Sequence, residues 1–436
     1  MSSPEHGVVG ILAGGGSLPR ELAEHVVALG GRVHVVTISG DWDAGLAKFP
    51  MTKADLGKVG TMLRALRTKG CKQVVIIGPV RRPDLAALWP DLGFILNLPA
   101  ILRLVTAGGD DGLLSRIVGF FEAKGFEVVA PAAVAPNLLT GEGPLGLCAA
   151  TPSQTADVAI GFDAVRAMGP YDVGQAVVVT DGRLEAVEGV EGTDGMLARV
   201  AALRARSGAA GTERRGVLVK RTKPGQELRI DLPAIGPATV ENAVKAGLAG
   251  IAVEAGGVLA AERAELVRLA DNGGLFVQGW KIESARSAAP TAGLTWQATT
   301  LGARNLDASH LADASKGAGL LTAINAFGNS RGAIVDRSHV LAVACKQSAE
   351  ALIAGAGNIH QWGRRRWSRR SGVAVIGEAS DLQPGLINTA AAAGLAGLAL
   401  LRQPPAATWA TIAEADRLGL AVVALAAAQE GQHGRQ

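Results

Sequence analysis

The sequence predicts an α/β protein, and three observations carry that expectation. Short apolar runs of strand length alternate with longer stretches of helical periodicity. The first such run, Val8 to Ala13, ends in a glycine-rich loop that opens a helix. The composition, 48% hydrophobic with 58 glycines, suits helices packed closely against sheets. A chain of 436 residues has room for two to four domains of this kind.

Composition also narrows the function. Aromatic residues make up only 4% of the chain, too few for base stacking to be its main business, so no nucleic-acid partner is expected. The net charge of +4 is compatible with a phosphorylated ligand or an acidic membrane surface and requires neither. Cys71, Cys148 and Cys345 are widely spaced and form no CxxC, which suggests reduced thiols in a cytosolic protein. The seven histidines form no HxxxH or HExxH pair, so zinc chemistry is not expected. Met1 to Gly7 is polar and runs straight into a strand, unlike a signal peptide. The longest apolar run, near Ala390 to Leu401, is about a dozen residues and is too short to span a bilayer. A cytoplasmic, soluble protein follows, at most peripheral to a membrane.

Residues 1–148 read as a Rossmann-like, doubly wound first domain. After Val8–Ala13, the loop Gly14-Gly15-Gly16-Ser17-Leu18-Pro19 precedes the helical pattern Leu22, Ala23, Val26, Val27, Leu29. A helix N-terminus behind side-chain-free residues can receive a phosphate, and the same pattern also makes a plain tight turn. It fails as a dinucleotide fingerprint, because Pro19 stands where the third glycine belongs. Further strands are expected at Val33–Ile38, Val74–Ile77 and Val128–Ala130. Gly78-Pro79 and then Arg81-Arg82 sit at a strand end, where such sheets bind ligands. Arg81 is therefore a candidate substrate contact. Asp110 and Asp111 open another helix, either as caps or as ligands for a metal or a hydroxyl. Phe94, Ile95, Leu96 and Leu98 are candidate apolar walls.

Residues 150–279 read as a second α/β domain. Asp172-Val173-Gly174-Gln175 leads into the strand Ala176–Thr180, the hairpin signal Asp181-Gly182 and the strand Leu184–Val187. Glu191-Gly192-Thr193-Asp194 then precedes a helix, as capping residues or as a hold on substrate hydroxyls or Mg²⁺. The stretch Gly216–Gly236 brings an apolar run to Lys220, turns at Pro224-Gly225 between Lys223 and Gln226, and reaches Asp231. Cations, an amide and a carboxylate delivered into one turn suit a phosphorylated ligand with a metal, although Lys-Pro-Gly is also an ordinary surface turn.

Six segments in this order, GILAGGGSLPRELAE, GPVRRPDL, GDDGLLSRI, DVGQAVVV, VEGTDGML and VKRTKPGQELRIDLPAIGPATV, resemble the UDP-2,3-diacylglucosamine pyrophosphatases of the LpxI type. The resemblance runs from about Val8 to Gly279. It implies Mg²⁺-dependent hydrolysis of UDP-2,3-diacylglucosamine to UMP and 2,3-diacylglucosamine 1-phosphate in lipid A biosynthesis, with the ligand held between the two domains. It matches the essential aspartate to Asp231 and the glycine loop to Gly14, Gly15, Gly16, Ser17, Leu18 and Pro19. It also matches the interdomain contacts to Asp110, Asp111, Gln175, Glu191, Gly192, Thr193, Asp194, Lys220, Lys223 and Gln226. Lys220 and Lys223 with Mg²⁺ would offset the pyrophosphate charge, and Asp231, with Glu191 or Asp194, would hold metal or orient water. Two other classes stand beside this one: a non-catalytic protein that binds the UDP-sugar lipid, and a nicotinamide-dependent oxidoreductase, which Pro19 argues against.

The chain then continues through a polar linker, 280–301, into a segment that repeats the second domain. Asp157, Gly161, Ala186, Val187, Gly216, Val217 and Val219 recur 156 positions later as Asp313, Gly317, Ala342, Val343, Gly372, Val373 and Val375. Ala-Gly-Leu-Ala-Gly at 246–250 recurs at 393–397, so the second copy is nine residues shorter between these markers. Residues 302–427 thus read as a degenerate duplicate, with a tail at 428–436. In it Gln175 becomes Arg331, Glu191 becomes Gln347, Thr193 becomes Ala349 and Lys220 becomes Ile376, which predicts a catalytically silent copy. Its Asp381 lies near the shortened loop. The run Arg364–Arg370 around Trp367 reads as a solvated loop, as a contact with lipid head groups at the cytoplasmic face of the inner membrane or, less favoured because no recognisable binding module accompanies it, as a nucleic-acid contact. The expected role of the copy is an internal pseudo-dimer partner for the second domain; a homodimer is the alternative.

Overall fold

The computed structural model describes residues 7–80, 89–98, 101, 110–206, 214–282, 294–328, 330–360 and 370–428; the side chains of 110, 111, 356–360 and 407 also lie outside the description. Arg81, Arg82 and residues 364–369 of the basic run are therefore outside it. The protein is α/β, as expected, and has three large sheets, one parallel and two mixed.

The first sheet contains β1 (Val8–Ala13), β2 (Arg32–Thr37), β3 (Met51–Lys53), β4 (Cys71–Ile77) and β5 (Glu127–Val128), in the order β3-β2-β1-β4-β5 and parallel throughout. The order reverses between β1 and β4, so the loops after these two strands flank the crevice in which such sheets bind ligands. The glycine loop follows β1, and Gly78-Pro79 follows β4. The three-residue β3 carries no alternation that a sequence pattern could register.

The second sheet is built from β6 (Gly143–Pro144), β7 (Ala176–Thr180), β8 (Arg183–Val187), β9 (Val217–Lys220), β11 (Gly250–Glu254) and β13 (Phe276–Trp280), ordered β6-β13-β11-β9-β7-β8. A small parallel pair, β10 (Ala234–Ile235) with β12 (Leu259–Ala260), lies beside it. The third sheet contains β14 (Trp296–Thr300), β15 (Gly332–Asp336), β16 (His339–Ala344), β17 (Val373–Ile376), β18 (Gly397–Leu400) and β19 (Ala421–Ala427), ordered β14-β19-β18-β17-β15-β16. Each of these two sheets has three central parallel strands, an antiparallel hairpin on one side and an antiparallel strand on the other. The segment expected to be linker up to residue 301 therefore contains a strand. Its Trp and Thr residues suit an edge position, and the β19 edge supplies the hydrogen bonds.

The recurring residues have recurring jobs. Asp157, buried on the helix Pro152–Met168, accepts the backbone N–H groups of Asp181 and Gly182 in the β7–β8 turn. Asp313, on the helix Ala308–Ile324, accepts those of Arg337 and Ser338 in the β15–β16 turn. Gly161 and Gly317 let these helices approach Val219 and Val375, whose methyl groups a Cβ would strike. The two helices pack against each other, and one continuous core runs through Val177, Val179, Val217 and Val219 to Val335, Val373 and Val375. The second and third units thus share a hydrophobic core. Cys71 and Cys345 are buried and Cys148 is half-buried, all three as free thiols. Among the described residues no helix is long and apolar enough to cross a membrane.

Candidate functional site

A cleft of about 510 Å³ opens where the carboxyl ends of the first and second sheets face each other. The first unit contributes Leu18, Ile76 to Pro79 and Pro131. The second contributes Asp172 to Gln175, Glu188 to Val190, Lys220, Lys223, Ile230 to Ala234 and Leu259. Two residues of the third unit, His339 and Val340, complete the lining.

Strand periodicity delivers Lys220 here. Val217 and Val219 point into the core shared with the third unit, while Leu218 joins the core on the opposite face. Lys220 follows Leu218 on that second face and reaches past the strand end. Its buried Nζ donates to Thr193 Oγ1 at 2.8 Å and to Ala234 O at 3.0 Å. Thr193 in turn donates to Glu188 Oε1 at 2.7 Å, and Glu188 Oε2 accepts the Gln175 backbone N–H at 2.6 Å. Lysine, hydroxyl, carboxylate and amide therefore form one chain across the ends of three strands. At its far end Gln175 Oε1 is buried with no hydrogen-bond partner among the described residues. An orphaned acceptor of this kind at a cleft wall suits a ligand's N–H or O–H, or a cation.

The turn after β9 forms a second group. Gly225 takes the left-handed conformation that the turn requires (φ 84°). Gln226 is buried; its Oε1 accepts the Lys223 backbone N–H, and its Nε2 donates to Asp231 Oδ2 at 2.5 Å. Lys223 Nζ lies 2.6 Å from Asp172 Oδ1. Beyond the turn the chain crosses onto the first unit. Arg229 pairs with Glu122, Ile230 packs on one core of the first unit, and Leu232 and Ala234 pack on the other. Asp231 is thus held from both sides of the cleft. The lining has one more carboxylate (Asp172, Glu188, Asp231) than it has lysines (Lys220, Lys223).

Other expected site residues lie elsewhere. The Gly14 and Gly15 N–H groups donate to Ile77 O and Pro79 O, and a Cβ on Gly14 would strike Gly78 O. These glycines serve the close packing of two strand-end loops, which leaves no room for a dinucleotide diphosphate against Gly14. Of the loop, Leu18 lines the cleft, whereas Gly16, Ser17 and Pro19 do not line it. Gly192 has φ 73° and starts the helix Gly192–Arg206. Glu191 turns back to Arg199 at 2.8 Å, and Asp194 accepts from Asn242 at 3.1 Å. Neither Glu191 nor Asp194 lines the cleft, and no cluster of three metal-capable side chains occurs among the described residues. The backbone of Asp110 and Asp111 begins the helix Asp110–Glu122. Of the expected apolar walls, Ile95, Leu96 and Leu98 are exposed and Phe94 is half-buried, and none of the four lines the cleft.

Sequence reasoning passed over Glu188 and Asp172. Glu188 directly follows β8, as Lys220 ends β9, and the rule that ligands sit at strand carboxyl ends would have selected it. Asp172 stands in the same segment as Gln175 and takes a left-handed backbone (φ 48°), uncommon outside glycine.

Residues 8–138 match the model of the LpxI N-terminal domain, and residues 141–278 match that of the LpxI C-terminal domain. The chain belongs to the LpxI family. Among its relatives is the UDP-2,3-diacylglucosamine pyrophosphatase LpxI of Caulobacter vibrioides, 41% identical over 271 residues, which is 96% of that protein and 62% of this chain. The two family domains contain both groups of polar residues in the cleft, and the third unit lies outside both matches.

Proposed function

We propose that this LpxI-family protein is a hydrolase that splits UDP-2,3-diacylglucosamine into UMP and 2,3-diacylglucosamine 1-phosphate in lipid A biosynthesis. Water adds to one phosphorus of the pyrophosphate, the bridging P–O bond breaks, and the departing phosphate leaves with the electron pair. The observation that carries this reading is the cleft itself: Lys220 and Lys223 stand beside Asp231 where two sheets present their carboxyl ends.

Lys220 is fixed by Thr193 and Ala234, so its charge is oriented before the ligand arrives. Lys223 is held by Asp172. Asp231, oriented by Gln226, binds metal or positions the attacking water. The donor set fits Mg²⁺, which takes one or two carboxylates and completes its shell with waters and substrate phosphate oxygens. Asp231 is the ligand we assign, and the surplus of negative charge in the lining supports a cation there. When bound, the ion neutralises phosphate charge in the transition state.

The third unit is, in the same reading, a degenerate duplicate of the second, catalytically silent and packed on it as an internal pseudo-dimer partner. The constant offset, the shared strand order and the paired roles of Asp157 with Asp313 and Gly161 with Gly317 support this. In the same reading the enzyme is cytoplasmic and peripheral to the inner membrane that holds its lipid-bearing substrate.

UMP release from UDP-2,3-diacylglucosamine, followed with and without Mg²⁺, tests the assignment. Release with Mg²⁺ and its loss on chelation is the expected result. No UMP under either condition removes the enzyme reading in favour of a binding protein.

A further inference from the structure

The third unit does more than cover an apolar face. Its strand β16 and strand β8 of the second unit are edge strands of their sheets, and they meet. The Val190 N–H donates to Leu341 O at 3.2 Å, and Lys346 Nζ lies 3.5 Å from Glu185 Oε1. At the offset of 156, residues 190 and 185 correspond to residues 346 and 341. Each contact is therefore the reciprocal of the other, the signature of a twofold, isologous interface. The fit is close: a Cβ on Gly189 would lie 2.5 Å from Leu341 O.

This pseudo-dyad carries the start of β16 to the cleft. His339 and Val340 line it opposite no residue of their own unit, next to the Glu188–Val190 segment. By the same symmetry the counterpart of His339 is Arg183, at the start of β8. The end of the third unit that would correspond to the cleft has Ile376, Ala349 and Ala344 in place of Lys220, Thr193 and Glu188. Only one of the two reciprocal contributions therefore falls on a polar site. His339 is half-buried and its side chain makes no hydrogen bond or ion pair among the described residues, whereas Lys220, Lys223, Glu188 and Gln226 are all engaged.

We propose that the third unit lends His339 to the substrate cleft as a binding residue, with Val340 as the apolar wall beside it. The inference rests on the hydrolase reading. The imidazole donates to an oxygen of the phosphorylated sugar-lipid ligand. Among the described residues it makes no hydrogen bond to the Lys220–Thr193–Glu188 chain or to the Gln226–Asp231 pair, so its contact is made equally in the ground state and the transition state. Such a group changes KM and leaves kcat alone.

The test compares the full-length protein with His339→Ala, His339→Gln and the distant surface variant Arg417→Ala. Their kcat and KM for UMP release would be measured, together with Kd for UDP-2,3-diacylglucosamine in the presence of chelator. For His339→Ala, KM and Kd are expected to rise about 3- to 10-fold, the range for one lost hydrogen bond, with kcat within about twofold and an unchanged unfolding midpoint. His339→Gln, which keeps a donor, should recover part of the loss, and Arg417→Ala should match the wild type. Should His339→Ala not fold, His339→Gln alone decides, by a raised or an unchanged KM. Wild-type KM and Kd in the histidine variants of an active enzyme would overturn the proposal and leave the hydrolase reading intact. A fall in kcat alone would also overturn it. A wild-type protein that releases no UMP removes the hydrolase reading, and equal Kd values for wild type and His339→Ala would then remove the cleft wall as well.

Discussion

In the second unit Lys220 ends β9 among a hydroxyl, a carbonyl and, through Thr193, a carboxylate. At the matching end of β17 in the third unit, Ile376 lies in a closed apolar cluster with Leu382, Leu386 and Leu400. Glu188 corresponds to Ala344 and Thr193 to Ala349, both almost fully buried. Gln175 corresponds to Arg331, which lies 3.7 Å from Asp381. The strands, the hairpin and the helix beneath them are the same in both units. What differs is every polar group of the chain that reaches Lys220. On the proposed hydrolase reading, the comparison separates residues that build the scaffold from residues that serve a ligand: once no ligand needs it, a buried polar chain is best replaced by apolar side chains, because a partly satisfied one costs more than none.

The sharpest way to break this comparison is to remove the carboxylate at each end. Asp231→Ala should lower turnover about 100-fold or more, the range for a positioned acid, base or metal group, while the unfolding midpoint stays close to wild type. Asp381→Ala should leave UMP release unchanged. A loss of rate in both variants would show that the third unit is not silent, and a near-normal rate in Asp231→Ala would show that the chemistry lies elsewhere.

A smaller effect tests the scaffold half of the argument. Gly161→Ala places a Cβ against Val219 Cγ2 and only 2.7 Å from Val219 Cβ, and a β-branched side chain in a packed sheet has no rotamer to yield into. Overpacking of this kind costs about 1–3 kcal/mol, partly offset by up to about 1 kcal/mol of helix propensity. Gly317→Ala meets Val375 Cγ2 at 2.5 Å but clears Val375 Cβ by 3.3 Å, so it should destabilise less. Calorimetric midpoints lowered in both variants, with activity per folded molecule retained, would place these glycines in the scaffold. A loss of activity without a loss of stability would move Gly161 into the site.

These pairs also show what the sequence could disclose. The offset of 156 is legible because Asp157, Gly161 and Val219 are each demanded by geometry that the third unit repeats: a buried carboxylate for two turn amides, and a missing side chain where a helix meets a strand. Lys220, Gln226 and Asp231 are legible because they cluster in one turn. Glu188 and Asp172 are not, because their partners, Thr193 and Lys223, come close only when the strand ends are brought together. Glu191 and Asp194 show the opposite case: acidic residues at a helix start have local partners, Arg199 on the same helix and Asn242 on the next. The position of His339 depends on an interface between units, which no local pattern encodes.

The smallest expected effect lies at that interface and is asymmetric in pH. Burial pushes the Glu185 carboxyl up, but hydrogen bonds from Arg204 and Thr180 and the charges of Arg204 and Lys346 outweigh it and hold the group below its ordinary 4.5. A carboxyl lowered in the folded state contributes stability that is present above its unfolded value and is lost as pH falls through the folded one. Lys346 is half-exposed and 3.5 Å away, so its share is under about 1 kcal/mol near neutrality. Lys346→Met should therefore lower the unfolding midpoint slightly at pH 7, and the gap from wild type should close as Glu185 takes up its proton below pH 4.5. The residue reciprocal to Glu185 is Leu341, which cannot titrate, so the acid-sensitive half of the pseudo-dyad belongs to the second unit alone. A gap that stayed constant with falling pH would mean that Lys346 does not act through the charge of Glu185.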